Sequence, residues 1–199
     1  MSANYNESER TALYFDTLDK GYELLAKHGL KALNVRNIAE TMGFSTGTFY
    51  NFFRSKYDYV IAVIEKRQSD AFRRMHRLGR KYRTGIPQAV LSDFLLKNIE
   101  TENIYRLLSQ EDCKTLMQHM PPKQPNPSYA EAFMKLLDTP CDLSVFPIFA
   151  QAYRMIVIGT SDPYGLVPEI APATLKIMVD TATAILYRPE ITANMNLST

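Results

Sequence analysis

The stretch that decides the fold is residues 34–56, which read NVRNIAETMGFSTGTFYNFFRSK. Its first half predicts a short amphipathic helix, because apolar residues recur there at helical spacing. These residues are Val35, Ile38, Ala39 and Met42. Asn34 is suited to cap the start of this helix, and Gly43 is suited to end it in a left-handed conformation.

The second half of the stretch predicts another short helix, from about Thr46 to Phe52 or Phe53, with Ser45 as its N-cap. Two short helices joined by a turn of three residues have the proportions of a helix-turn-helix. The second helix begins with the small residues Thr46-Gly47-Thr48. Small side chains let a helix N-terminus come close to DNA in the major groove, which is ~12 Å wide, so that its N–H groups face phosphate.

Longer helices are expected on both sides of this motif. Before it, Asn6 and Glu9 can form the capping box of a helix that ends at Gly29. The apolar face of that helix consists of Phe15, Leu18, Tyr22 and Leu25. After the motif, a long helix is predicted from about Lys56 to Arg83. Its apolar residues are Tyr57, Ile61, Ile64, Phe72, Met75 and Tyr82.

The rest of the chain also has a helical pattern. We expect helices near 87–100, 103–119, 128–138, 143–159 and 170–187, with loops at 120–127 and 160–168 where proline and glycine accumulate. No stretch alternates with a period of two residues, so no strand is predicted. The chain is therefore predicted to be all-α. A three-helix helix-turn-helix domain, residues 8–70, is joined by the long helix to a second helical domain, residues 71–199.

Charge divides the chain at about the same place. Residues 1–83 hold fifteen Lys and Arg against nine Asp and Glu, whereas residues 84–199 hold eight against twelve. All eleven prolines lie from Pro87 onward. A basic first part beside an acidic second part indicates that the first part meets a polyanion and the second does not.

Several classes of protein are excluded by the same sequence. The longest apolar run, Phe146–Gly159, is interrupted by polar residues and is shorter than the ~18–20 residues that span a bilayer. The polar N-terminus carries no signal-peptide segment, and two cysteines do not make a disulfide framework. We therefore expect a cytoplasmic protein without membrane association, with Cys113 and Cys141 as core residues.

Enzymatic chemistry is not indicated either. His28, His76 and His119 lack the spacing of metal ligands. The side chains of Glu111, Asp112, Cys113 and His119 do not fall on one helical face, as a nucleophile and its base would. No phosphate-binding glycine loop occurs. We expect no enzymatic activity, no metal and no cofactor.

Residues 34–56 resemble the DNA-binding signature of the TetR family of transcriptional regulators. The family pattern is roughly T-x-x-x-I-A-x-x-A-G-V-S-x-G-T-[FL]-Y-x-[HY]-F-x-[SN]-K. The residues in register are Ile38-Ala39, Gly43, Ser45, Gly47-Thr48-Phe49-Tyr50, Phe53 and Ser55-Lys56. The resemblance covers about residues 10–70, and the remainder is similar to the family in being helical and of suitable length.

The resemblance implies a set of DNA contacts. Arg36 would reach a base edge or a phosphate, Tyr50 would donate a hydrogen bond to a phosphate, and Lys56 would pair with another phosphate. The complete set of candidate DNA-binding residues is Arg36, Ser45, Thr46, Gly47, Thr48, Tyr50, Asn51 and Lys56. Phe52 stands where the family often has a His or Tyr that touches phosphate, so one backbone contact is expected to be missing.

The second part of the chain is rich in large, adaptable side chains. Met and Tyr can line a pocket for an apolar ligand with a few polar contacts, although most such residues fill a core. The candidate ligand-binding residues are Phe94, Tyr105, Met117, Met120, Phe133 and Tyr153.

The last two predicted helices, near 143–159 and 170–187, carry more apolar residues than one core face needs, which predicts a homodimer formed through them. The resemblance then implies a ligand-responsive regulator, a repressor in most of the family. It would bind a palindromic double-stranded DNA operator, and a small-molecule effector would weaken that binding by shifting the long helix. Two alternatives are a helical small-molecule-binding or architectural protein that has lost specific operator recognition, and an enzyme with a helix-turn-helix appendage.

Overall fold

The structure is a computed structural model that describes residues 6–120, 126–139, 142–160 and 170–188. Nine α-helices lie in these ranges, and the predicted all-α fold is confirmed. They are α1 (Glu7–Ala32), α2 (Val35–Met42), α3 (Thr46–Tyr50), α4 (Lys56–Gly79), α5 (Gln88–Glu102), α6 (Gln110–His119), α7 (Pro127–Met134), α8 (Phe146–Gly159) and α9 (Ala171–Tyr187). A short 3-10 turn, Ile104–Leu107, stands between α5 and α6.

Helices α3 and α4 end earlier than the sequence pattern predicts. α3 stops at Tyr50 and does not reach Phe52 or Phe53, because the chain tightens there into turns that close on Thr48 and Phe49. α4 stops at Gly79 and does not reach Arg83, so Tyr82 lies beyond the helix. Glycine is among the poorest helix formers, and the chain leaves α4 in a turn at that residue.

The predicted bounds of three later helices are also wrong. The helix predicted over 103–119 is two elements, because Ser109 caps a new start at α6 by accepting the N–H of Asp112 at 3.1 Å. The helix predicted over 128–138 ends at Met134, and the helix predicted over 143–159 begins at Phe146. Of the predicted loops, most of 120–127 and of 160–168 lies outside the described residues, as does Cys141, whereas Cys113 is buried as expected.

The chain divides into two compact units. One consists of Met1–Ser69 with Ile104–Pro121, and the other of Asp70–Asn103 with Pro122–Thr199. The predicted domains, 8–70 and 71–199, placed the segment around α6 with the second part, whereas this segment groups with the first. We call these the N-terminal unit and the C-terminal unit.

The N-terminal unit is held together by close contact between α1 and the first part of α4. The side chain of Tyr59 in α4 is fully buried, and its hydroxyl donates to the carbonyl oxygen of Thr17 in α1 at 2.9 Å. Burial raises the pKa of Tyr59 above its ordinary value, since the charged form would be desolvated. Further out, Lys66 pairs with Asp19 across the same two helices. These contacts fix the helices that carry the helix-turn-helix.

The C-terminal unit packs around Ile86, which lies between α4 and α5 and is fully buried. Ile86 forms a lone parallel bridge with Leu137, and its N–H donates to the carbonyl oxygen of Leu136 at 2.7 Å. Tyr187 at the end of α9 donates its hydroxyl to the Ile86 carbonyl. One hydrophobic core joins α5, α7, α8 and α9 around this point.

Candidate nucleic-acid interface

The two short helices of the predicted motif are capped as the sequence predicts. The side chain of Asn34 accepts the N–H of Asn37 at 2.9 Å at the start of α2. Gly43 ends α2 with φ 69° and ψ 24°, a left-handed conformation that favours glycine. Ser45 accepts the N–H of Thr48 at 3.1 Å at the start of α3. The turn between the helices therefore has its geometry fixed by local hydrogen bonds and one glycine.

Aromatic packing holds α3 against the core of the N-terminal unit. Phe49 is completely buried, and its ring centre lies 5.2 Å from that of Phe53 and 5.9 Å from that of Tyr59. With Phe49 turned inward, the opposite face of α3 turns outward. Gly47 lies on that face and is exposed, and Thr46 is exposed at the start of the helix. The small residues at the start of α3 are therefore available to an external partner.

Gly47 is not required by the fold. A Cβ atom built on Gly47 would have the hydroxyl oxygen of Ser45 as its nearest neighbour, at 3.6 Å, which is an ordinary van der Waals contact. Its backbone lies within a regular helix, so no positive φ calls for glycine. The missing side chain leaves room only on the outside of the helix. Close approach of a large ligand such as DNA gives a physical reason for glycine there.

The predicted DNA contacts next to α3 differ in their exposure. Tyr50 is 58% exposed, and Asn51 is exposed at the end of the helix. Thr48 is half-buried, and its hydroxyl lies 3.0 Å from that of Ser45, so these two hydroxyls bind each other at the cap. Thr46, Gly47, Tyr50 and Asn51 thus form one accessible surface, to which Ser45 and Thr48 contribute mainly by capping the helix.

Arg36 stands on the outside of α2. Its side chain is 81% exposed, and its guanidinium pairs with Glu40 one turn later, with Nε 2.7 Å from Oε1. The hydrogen bond to Glu40 raises the pKa of Arg36 above its already high ordinary value. An exposed pair of this kind contributes little to stability, so the guanidinium can be redirected to a phosphate or a base at small cost.

Lys56 has hydrogen-bond partners within the protein. Its ammonium group is directed toward the end of α1, where it donates to the carbonyl oxygens of Leu30 at 2.9 Å and of Leu33 at 3.1 Å. The side chain is half-buried. The phosphate contact predicted for Lys56 stays a prediction, and the structure gives the side chain a partner within the protein.

Two arginines near the motif were missed by sequence reasoning. Arg10 in α1 donates to the carbonyl oxygen of Asn51 at 3.1 Å, and its guanidinium lies 5.6 Å from the ring centre of Phe52. Arg54 lies just before α4, is 93% exposed, and pairs with Asp58 at 2.9 Å. No local pattern could reveal the contact of Arg10, because it joins residues that are far apart in the sequence. Arg54 could have been identified as a basic residue beside the motif.

The predicted ligand-binding residues are not brought together in one unit. Tyr105, Met117 and Met120 belong to the N-terminal unit, and Tyr105 is buried. Phe94, Phe133 and Tyr153 belong to the C-terminal unit. The six residues do not form one site within either unit.

Within the C-terminal unit, Phe133 and Tyr153 flank the buried ring of Phe149, with ring centres 5.6 Å and 5.9 Å from it. The Tyr153 hydroxyl donates to the carbonyl oxygen of Leu95 at 3.3 Å, and burial raises the pKa of Tyr153. Phe146 and Tyr129 extend this aromatic cluster toward the surface, where Tyr129 is 42% exposed.

Large apolar side chains are exposed on α8 and at the start and middle of α9, and we call this set the uncovered stripe. Met155 on α8 is 62% exposed and Ile177 on α9 is 65% exposed, and the exposed Ile170 and Met178 lie close to Ile177 in the sequence. The opposite faces of both helices, which include Phe149, Ile156 and Val179, are buried in the core of the unit. Large apolar side chains left exposed on two adjoining helices are typical of a protein interface.

No helix in the described ranges is long and apolar enough to cross a membrane. In the same ranges, no group of three or more His, Cys, Asp or Glu side chains could hold a metal ion.

Comparison with known proteins places the motif in a family. Residues 18–63 match the family described as bacterial regulatory proteins, tetR family. A stretch of 68 residues is 34% identical to the uncharacterized HTH-type transcriptional regulator YwcC of Bacillus subtilis (strain 168). That match covers 34% of this chain and 30% of the relative, so it spans less than a third of the relative's length. No solved structure gives a significant match. The N-terminal part of the chain is therefore a TetR-type helix-turn-helix domain.

Proposed function

We propose that the protein is a transcriptional regulator that places α3 in the major groove of a DNA operator. The observation that carries this proposal is Gly47. The fold leaves room for a side chain at that position, whereas a closely apposed DNA duplex would not. In this proposal Thr46 reads base edges, and Ser45 and Thr48 hold the start of α3 in place. Tyr50 and Asn51 bind the DNA backbone beside α3, and Arg36 reaches the duplex from α2.

The regulator acts as a homodimer on a palindromic operator. The uncovered stripe around Met155 and Ile177 supports a two-fold interface, because two copies of α8 and α9 can bury one another as a four-helix arrangement. A two-fold dimer presents two copies of α3. The half-sites of its operator are expected about one DNA turn apart, ~34–36 Å, or a multiple of that distance.

A small-molecule effector controls this binding, and the protein acts as a repressor that the effector releases. The effector binds in the C-terminal unit. Two of the candidate ligand-binding residues, Phe133 and Tyr153, support this location, because they belong to an aromatic cluster that reaches the surface at Tyr129. The residues of this aromatic cluster have apolar surfaces and tyrosine hydroxyl groups, which suit an aromatic or apolar metabolite. The long helix α4 contributes residues to both units and is a continuous covalent connection between them.

The proposal is tested first by selecting sequences from random double-stranded DNA with the purified protein. We expect enrichment of a palindrome and binding of one dimer per site. Apolar and aromatic metabolites are then screened for thermal stabilisation, and each hit is titrated against the protein–operator complex. By linkage, effector and operator must weaken one another by the same factor, typically about 5–150-fold.

The same experiments test the alternative of a helical ligand-binding protein that has lost operator recognition. In that case compounds would stabilise the protein while no DNA sequence would be enriched. Transcription from a promoter carrying the selected operator, with and without the protein, then distinguishes a repressor from an activator.

A further inference from the structure

The ammonium group of Lys56 bridges the two sides of the helix-turn-helix. It donates to the carbonyl oxygen of Leu30, 26 residues earlier, at 2.9 Å, and to that of Leu33, 23 residues earlier, at 3.1 Å. Leu30 lies in the last turn of α1, Leu33 is the C-cap of that helix, and Lys56 is the first residue of α4. The whole segment 34–55, which contains α2, the turn and α3, therefore lies inside a loop that one side chain closes. We call this contact the Lys56 clasp.

The site of the clasp is one that attracts a cation. Gly29 has φ 65° and ψ 167°, which breaks the regular helix and leaves one further turn before α2. Carbonyl oxygens at the end of a helix carry partial negative charge and need donors. The side chains of Leu30 and Leu33 are almost completely buried, so the backbone there is anchored in the core. The ammonium group supplies the two carbonyl oxygens with charge-assisted hydrogen bonds.

The same end of the segment carries a different cation for DNA. Arg54 precedes Lys56 by two residues, and its side chain is 93% exposed with Nε paired to Asp58. Its remaining N–H groups can meet a phosphate without leaving this pair. Lys56, in contrast, is half-buried, and two of its three N–H donors form the hydrogen bonds of the clasp.

We propose that Lys56 is a positioning residue, which fixes the orientation of α2 and α3 by closing the segment 34–55, and that Arg54 provides the phosphate contact at this end of the motif. The second half of this inference rests on the proposed DNA-binding function, whereas the clasp concerns the fold alone. Closing a loop of this length limits the conformations open to it, so the clasp keeps the reading surface in one arrangement.

The fold is tested without DNA, by thermal melting followed with circular dichroism. Lys56→Met keeps the apolar stem of the side chain and removes the donors, and we expect its melting temperature to fall by about 4–10 °C. Lys56→Arg keeps donors at the end of the stem and should recover at least half of that loss. Lys31→Met is the matched control. It removes the same charge from an exposed position in the last turn of α1 and should change the melting temperature by less than about 2 °C.

DNA binding is then measured on the selected operator and on an unrelated duplex over a range of salt concentrations. A positioning residue affects recognition of sequence, so Lys56→Met should lose about ten-fold or more in affinity for the operator and less than about two-fold for the unrelated duplex. Its salt dependence should stay that of the parent protein. Arg54→Gln should weaken both duplexes alike and reduce the salt slope by about 0.9 per half-site, because a phosphate contact releases counterions.

The clasp is refuted if Lys56→Met has the same melting temperature as the parent protein. It is also refuted if Lys56→Met lowers the affinity for both duplexes alike and reduces the salt slope. The latter result would make Lys56 a phosphate contact. Failure of the parent protein to enrich any operator would count against the proposed function instead, and the melting comparison would still decide whether the clasp exists.

Discussion

A Cβ atom added to Gly21 in α1 would lie 2.3 Å from a methyl carbon of Val63 in α4, far inside van der Waals contact. Gly21 is therefore needed for the two helices to approach one another. Gly47 in α3 has no such neighbour, because its nearest atom would be a hydroxyl oxygen at 3.6 Å. Glycine serves the packing of the protein at one position and leaves space for an external partner at the other.

The first prediction compares these two glycines. Gly47→Ala should leave the free energy of unfolding unchanged or raise it by up to ~1 kcal/mol, because alanine favours the helix. The free energy of operator binding should nevertheless become less favourable by ~1–3 kcal/mol, because a methyl group would be forced into the tight contact between α3 and DNA. Gly21→Ala is the control and should lower the free energy of unfolding. Chemical denaturation and fluorescence anisotropy with labelled operator measure the two quantities. Full operator affinity in Gly47→Ala would contradict the placement of α3 against DNA.

The second prediction separates an exposed tyrosine hydroxyl from a buried one. Tyr50→Phe should not change the free energy of unfolding by more than ~0.5 kcal/mol, because its ring is exposed at the end of α3. It should weaken operator binding by ~0.5–1.5 kcal/mol per half-site if the hydroxyl binds a phosphate. Tyr59→Phe removes the hydroxyl that binds the Thr17 carbonyl and should lower the free energy of unfolding by ~1 kcal/mol. If Tyr50→Phe instead bound operator as the parent does, the phosphate contact would have to come from another residue.

The third prediction concerns the uncovered stripe of α8 and α9. Met155→Glu and Ile177→Glu should each turn a dimer into monomers, because a charge would be buried at the centre of the interface. Leu143→Glu is the control, since Leu143 is 39% exposed but lies before α8. Sedimentation velocity at micromolar concentration measures the state of assembly. A monomeric parent protein, or dimers in both stripe variants, would exclude this surface as the interface.

The fourth prediction is a dependence of stability on pH through Asp180 in α9. The hydrogen bond donated by Ser92 lowers the pKa of Asp180, and Lys176 lies 3.2 Å from it and acts in the same direction. A carboxyl group whose pKa is lower in the folded state stabilises that state when it is charged. This stabilisation is complete above the unfolded pKa and is lost as the pH falls through the folded pKa.

We therefore expect the melting temperature to decrease as the pH is lowered from about 5 toward 2, and Asp180→Asn to reduce this decrease. Asp16→Asn, at an exposed position of α1, is the control, and its melting temperature should decrease with falling pH as that of the parent protein does. The same acid dependence in parent and Asp180→Asn would show that other carboxyl groups are responsible.

The features that sequence predicted well are those decided locally. A cap depends on one side chain and an N–H group three residues away, so Asn6, Asn34 and Ser45 could be recognised without knowledge of the fold. The left-handed Gly43 also follows from its own backbone. The helix-turn-helix, which is a succession of such local features, was predicted correctly for this reason.

The contacts that sequence did not predict join distant parts of the chain. The partner of Lys56 is a pair of backbone carbonyls before α2, and the partner of Arg10 is a carbonyl after α3. Backbone carbonyls have no signature in a sequence, so neither contact could be predicted from it. The predicted ligand-binding residues are divided between the two units, and this division could not be predicted for a related reason. Composition identifies adaptable side chains, but it does not say which of them share a core.

The ring of Tyr57 in α4 stacks on that of His119 in α6, with centres 4.1 Å apart and planes inclined by 19°. Tyr57 lies directly after the helix-turn-helix, whereas His119 is separated from it by all of α5. A hybrid regulator made by exchanging only the first 69 residues between two relatives would therefore divide a structural unit. The N-terminal unit is formed by two separate segments of the sequence. A domain exchange that keeps this unit intact therefore has to include α6 as well as the helices before it.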